Sequence, residues 1–268
     1  MKMSRKTKRL VLRTILVCAG LYIAFTLGVK LTDWATGLIR TAHRANISRK
    51  TDVKAFAFEL PQAYDVHGID ISKHQKSIDW LQVSKSEWKG KKLSFVFIKA
   101  SEGSTRPDEL FARNWSEARK QKLLRGAYHF YRPAKDAEEQ FKLFSSIVKL
   151  EKGDLPPVVD IEVTNRRSKR VIEAGLAKFL KKLEEKYHAR PIIYTSQAYY
   201  NRYLADKFSD YPIWIAWYKE EDSLNAVLKT SWHFWQHSDQ GYVNGIKGKV
   251  DFNVFSGSII DLKKMCIK

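Results

Sequence analysis

The sequence predicts a mixed α/β fold: a modified α/β barrel of five strand–helix units and three further strands, preceded by one transmembrane helix. Three observations predict it. From residue 65 to about residue 208, short β-branched segments alternate with amphipathic segments of helical length. After that the helical repeats stop, and three more strand-like segments are joined by turn-forming residues. Near the N-terminus lies an apolar run long enough to cross a bilayer. Five units and three strands make eight, the number that closes such a barrel, whose function sits at the C-terminal ends of its strands. A chain of 268 residues accommodates one such domain with an appendage.

The elements follow in order. "VHGIDIS" (66–72) and "LSFVFIKAS" (93–101) are strand-like, with a short helix over 79–88 between them. "ELFARNWSEARKQKL" (109–123) has helical spacing, and "RGAYHFY" (125–131) returns to a strand. Asp136 caps a helix running to residue 150, with Glu138 and Glu139 favourably placed in its first turn. "PPVVDIEV" (156–163) is a buried strand, and "SKRVIEAGLAKFLKKLEEKY" (168–187) is the clearest amphipathic helix of the chain. "RPIIYTS" (190–196) and a helix over 197–208 complete the fifth unit. The last three strands are "YPIWIAWY" (211–218), "SWHFWQHS" (231–238) and "KVDFNVF" (249–255), with Gly241, Gly245 and Gly248 supplying tight turns.

The first 31 residues read as a basic tail and a transmembrane signal-anchor helix, residues 32–64 as a stalk, and residues 65–268 as the barrel. Between Arg13 and Lys30 lie 16 uncharged residues, and the two cations can snorkel to the interfaces. Lys2, Arg5, Lys6, Lys8 and Arg9 precede the span, so the positive-inside rule places the barrel on the extracytoplasmic side. No A-x-A cleavage site follows, and Val17 before Cys18 is too large for lipid processing. The formal charge of +19 is concentrated here: residues 1–50 carry 11 Lys and Arg against one acid. Such a surplus suits an anionic polymer or surface. Nucleic acid is not the expected partner, because neither zinc-finger spacing nor an RNA-recognition signature is present. Cys18 and Cys266 are too differently placed to form an internal disulfide.

"PPVVDIEV" also carries the chemistry. Residues i and i+2 of a strand share a face about 6.5 to 7 Å apart, so Asp160 and Glu162 point the same way while Val159, Ile161 and Val163 take the other face. Two carboxylates this close cannot both ionise cheaply, so one holds its proton towards neutrality, as a general acid must. The bland alternative is a solvated strand end paired with Arg166 and Arg167. In a closed barrel the first and last strands are neighbours, so Asp70 of "GIDIS" and Asp251 of "VDFNVF" join the pair at one mouth. Tyr128, Phe130, Tyr194, Trp217, Tyr218 and Trp235 fall on the same strands. Singly each suits core packing; as a set among acids they suit a sugar groove, where rings stack on pyranose faces.

These segments together resemble glycoside hydrolase family 25, the Chalaropsis-type lysozymes. "HGIDISKHQKSIDW", "FVFIKASEG", "GAYHFYRP", "PPVVDIEV", "PIIYTS", "WIAWY", "FWQHS" and "VDFNVF" occur in family order from about Val66 to Phe255. The resemblance implies a modified TIM-like (β/α)5(β)3 barrel and hydrolysis of the β-1,4 bond between N-acetylmuramic acid and N-acetylglucosamine in peptidoglycan. It implies Glu162 as general acid, Asp160 as the partner that orients or stabilises the reacting sugar, and Asp70 and Asp251 as supporting acids. Gln236 joins the six aromatic residues as substrate-binding. The implied partners are peptidoglycan glycan strands and, through the N-terminal helix, the membrane; no cofactor or metal is implied. Retention through an enzyme nucleophile and through the substrate's own acetamido group both stay open. Lys76 departs from the family, many members of which have glycine there.

His129 reads as a hydrogen-bonded core or groove residue, since no second histidine stands at ligand spacing. His233 and His237 are four apart on a strand, which does not build a zinc site. Glu102 suits either a sugar contact or an ion pair, and Ser72 and Ser101 lack a nucleophile elbow. Two competing functions share these residues: hydrolysis of another N-acetylhexosamine polymer, and a non-catalytic wall-binding module.

Overall fold

A computed structural model describes residues 60–268. The expected membrane span and most of the stalk lie outside the described residues, and among the described residues no helix is long and apolar enough to cross a membrane. The final stalk residues, 60–64, belong to the barrel instead. Leu60 is buried in the core, and Tyr64 packs on Trp232 and Trp235 and donates a hydrogen bond to Glu221.

The first unit is β1 (Val66–Ile71) and α1 (Trp80–Lys85), the latter capped by Asp79, which accepts the Gln82 amide. Between them a single helical turn, Lys73–Gln75, is closed by a capping box from Ser72. A short strand, β2 (Glu87–Trp88), folds back on β3 (Lys91–Glu102), whose far end pairs with β4 (Arg106–Pro107). There follow α2 (Phe111–Lys120), β5 (Leu124–Phe130), α3 (Ala137–Ile147), β6 (Val158–Asp160) and α4 (Lys169–Tyr187). Next come β7 (Ile192–Ser196) and α5 (Gln197–Tyr199), which continues as a wider π-helical turn over Tyr200–Leu204. The chain ends with β8 (Ile213–Ala216), α6 (Glu221–Val227), β9 (Phe234–Gly241), β10 (Val250–Phe255) and α7 (Ile259–Met265).

Eight of these strands close a barrel in the order β1, β3, β5, β6, β7, β8, β9, β10. All neighbours are parallel except β10, which runs antiparallel to both β9 and β1. That reversal matters for the site. It puts the start of β10, where Asp251 lies, at the mouth formed by the ends of the other strands, directly opposite Asp70.

Side-chain alternation divides the core in two. Val159, Ile161, Ile193, Ile215 and Trp235 face the surrounding helices, while Phe95, Phe97, Val158, Ile192, Trp214 and Phe234 fill the barrel interior. The interior is tight because two rings need room that only glycine leaves: a Cβ on Gly68 would stand 2.4 Å from the Phe95 ring, and one on Gly126 2.5 Å from Phe97. Leu262 and Cys266, on and just beyond α7, pack against this inner core, and among the described residues Cys266 is a free, buried cysteine.

Two helices were not expected. α6 inserts between the sixth and seventh barrel strands, and α7 follows the last strand, started by a capping box from Ser258 and Asp261. The strand expected over 156–163 is shorter, because Pro156 and Pro157 bring no N–H to the ladder and the chain leaves the sheet beyond Ile161, whose amide still donates to Tyr194.

Candidate active site

The mouth encloses a cavity of about 570 Å³. All four predicted acids line it: Asp70 from the end of β1, Asp160 from β6, Glu162 just past it, and Asp251 from the start of β10. Tyr128, Phe130, Tyr194, Tyr218 and Gln236 line it too.

Two predicted residues are placed elsewhere. Trp235 is buried outside the barrel against Tyr64 and Trp232, its indole N–H donating to the Trp217 carbonyl at 2.7 Å. Parity is the reason: Phe234 and Gln236 point inward, so the residue between them must point outward. Trp217 is half-buried over α6, donating to the Glu220 carbonyl and the Ser223 hydroxyl, and does not line the cavity.

Asp70 is held by a network. Its Oδ2 accepts from Gln236 Nε2 and Asn253 Nδ2, each at 2.8 Å. Gln236 Oε1 in turn accepts from the hydroxyls of Tyr194 at 2.7 Å and Tyr218 at 2.6 Å, and Asn253 Oδ1 accepts from Trp214 Nε1 at 2.8 Å. Each partner fixes the next in one orientation, which preorganises the Asp70 carboxyl.

Electrostatically the mouth favours protons. Burial first, then the charge of Asp251, pushes the Asp70 carboxyl well above the usual carboxylate range, against the pull of Asn253 and Gln236. Burial, reinforced by Asp239, raises Asp251 to about 6. Asp160, only 6% exposed, is raised well above its ordinary value by burial and then by Glu162, with Lys99 opposing. Glu162 stands at the rim where solvent reaches it, yet the cavity wall strips enough hydration to raise its carboxyl, against Tyr194, Lys99 and Arg132. Asp160 and Glu162 therefore titrate as one unit that retains a proton towards neutrality. Asp160 Oδ1 is buried and finds no hydrogen-bond partner among the described residues.

Sequence reasoning missed Asn253 and Lys99. Both were legible by strand parity: Asn253 lies two residues after Asp251, and Lys99 two after the inward-facing Phe97. Glu102, read as either a sugar contact or an ion pair, is an ion pair: burial would raise it, but Arg132 and Lys99 hold it at about 2, with Arg106 also bound. His129 is a core residue, hydrogen-bonded to Ser101 at 2.8 Å and Gln140 at 3.2 Å, and burial lowers its imidazole to about 4.

An α/β barrel whose mouth gathers paired, proton-retaining carboxylates beside aromatic rings is the architecture of a glycoside hydrolase. Comparison with known proteins agrees: the family model described as glycosyl hydrolases family 25 matches residues 69–246, and the chain belongs to this family. Protein YegX of Escherichia coli (strain K12) is 42% identical over 211 residues, covering 79% of this chain and 77% of that protein. Lysozyme M1 of Streptomyces globisporus is 32% identical over 207 residues, covering 72% and 68%. Among solved structures, a family 25 glycosyl hydrolase from Bacillus anthracis superposes with a TM-score of 0.70 at 31% identity, covering 77% of this chain and 95% of that one.

Proposed function

We propose that this protein is a peptidoglycan hydrolase, a lysozyme that cuts the β-1,4 bond between N-acetylmuramic acid and N-acetylglucosamine. The observation that carries the reading is the convergence of Asp70, Asp160, Glu162 and Asp251 on one cavity, in a chain related to lysozymes.

In this reading Glu162, accessible at the rim, gives its proton to the leaving glycosidic oxygen, a step worth about 10² to 10⁴ in rate. Asp160 stabilises the reacting sugar. Lining the cavity two residues before Glu162, it is placed to accept from the N–H of a 2-acetamido group, the contact that a substrate-assisted route needs. Asp70 and Asp251 hold a proton between them and keep the floor of the mouth from accumulating negative charge opposite the pair. Tyr128, Phe130 and Tyr218 supply ring faces and hydroxyls to the glycan.

The hydropathy of residues 10–31 and the cations before it support a single-pass anchor that holds the barrel on the extracytoplasmic side, next to its polymer. A protease-accessibility assay on intact and permeabilised cells checks this, with a barrel degraded only after the inner membrane is breached counting against it.

The test of the activity is the chemistry of the product ends. Digestion of purified peptidoglycan, followed by borohydride reduction and mass spectrometry, yields reduced N-acetylmuramic acid if the reading holds. Reduced N-acetylglucosamine ends, or cleavage of chitin alone, would transfer the site to another hexosaminidase class.

A further inference from the structure

A second cleft of about 310 Å³ opens beside the catalytic cavity, and nothing in the proposed reaction uses it. The two share a wall. Phe130 lines the catalytic side, Arg132 lines the other, and the Arg132 guanidinium lies over the Phe130 ring with its carbon 4.4 Å from the centroid. Arg106, Lys135 and Asn165 are among its other lining residues, and Asn165 stands three residues after Glu162.

Its charge is cationic. Glu102 is the one acid lining it among the described residues, and that carboxylate is already bound by Lys99 at 2.9 Å, Arg106 at 2.8 Å and Arg132 at 2.7 Å. Three cations on one anion leave positive charge to spare. Arg106 is 73% exposed and bonds Glu102 through a single nitrogen, so most of its five N–H donors face the cleft and solvent. Lys135 is exposed and has no ion-pair partner among the described residues; neighbouring Asp136 turns its Oδ1 to the amides of Glu138 and Glu139. The third wall is a turn whose Asn165 and Arg166 stand in succession in the left-handed region, at φ 45° and 61°. Two such residues running are costly, and strain of this kind is retained beside functional sites.

A muramyl polymer differs from other acetylhexosamine polymers in the 3-O-lactyl ether on alternate sugars, which is joined by an amide to a short peptide with free carboxylates. We infer that this cleft binds the carboxylates of those peptide stems, through Arg106 and Lys135, while the glycan lies in the adjoining cavity. The inference rests on the muramidase reading and deepens it, making the enzyme selective for peptide-bearing glycan over bare glycan.

The experiment compares kcat/KM on intact peptidoglycan and on the same polymer stripped of its stems by an N-acetylmuramoyl-L-alanine amidase. The amidase removes the peptide carboxylates and leaves one lactyl carboxylate on each muramic acid, so that a preference reports the stems themselves. The full chain and its Arg106→Gln/Lys135→Gln double variant are assayed side by side. The wild type should prefer the peptide-bearing polymer by about tenfold, the effect of one or two charge-assisted contacts. In the double variant the preference should fall towards one, and in the wild type it should shrink as salt is raised. Stripped glycan serves as an internal control for folding. A wild type that cuts both polymers equally, or a variant that keeps the preference, overturns the inference and leaves the muramidase reading intact. A wild type that cuts neither overturns both.

Discussion

Asp70 and Asp251 stand directly opposite one another in the antiparallel ladder between β1 and β10, so two carboxyl groups occupy one cross-strand pair at the floor of the mouth. Like charges so placed are destabilising unless a proton separates them. The folded state raises Asp251 from 3.8 to about 6, so it keeps a proton that the unfolded chain releases. Its contribution to stability is complete below pH 4 and is lost as pH rises through 6. At about 1.4 kcal/mol per unit of pKa, Asp251→Asn should be more stable than wild type by about 3 kcal/mol at pH 8, and equal to it near pH 4. Denaturant titrations at the two pH values check this, and parallel curves for both proteins would refute it.

Lys76 closes the turn after the single helical turn of residues 73–75 at φ 54° and ψ −136°, a region that suits glycine and strains a side chain. Lys76→Gly should therefore raise the thermal midpoint, corresponding to about 1 kcal/mol. A lower midpoint would mean that the lysine side chain makes a contact that outweighs its backbone.

Gly68 faces the Phe95 ring inside the barrel, where a Cβ would come within 2.4 Å of ring carbons on a side chain that is itself fully buried. Gly68→Ala should cost about 3 kcal/mol, since neither the strand nor the ring has space to yield. Loss of less than about 1 kcal/mol in chemical denaturation would show that the inner core repacks freely.

Gln236 sits between two tyrosine hydroxyls and Asp70, and among the described residues no other side chain both accepts from Tyr194 and Tyr218 and donates to Asp70. Gln236→Leu leaves both hydroxyls without their acceptor and Asp70 with Asn253 alone, which should cost about 2 kcal/mol of stability. It should also lower kcat more than it raises KM, because what is lost is the orientation of the acid. A pure KM effect would mark Gln236 as a sugar contact only.

The α/β alternation was legible because each strand is short and β-branched and each helix amphipathic, and α4 is the plainest case. α6 escaped because seven residues give too few turns for a helical period to show, and α7 because it follows the last strand, where the barrel pattern demands nothing. The acids were legible from strand ends alone, yet Asp251 reaches the mouth only because β10 runs backwards, a reversal that local pattern does not encode. Trp235 was assigned to the groove by composition when parity with its neighbour Gln236 already excluded it. Asn253 and Lys99 were passed over for the opposite reason: parity admitted them, but neither is an acid or a ring.

The most direct test of the account is reducing-end release from purified peptidoglycan by the wild type and Glu162→Gln, with polymer binding measured on the same preparations. Glu162→Gln should bind as the wild type does and lose about 10² or more in kcat. A variant that cuts as fast as the wild type, or a wild type that binds and does not cut, would contradict it.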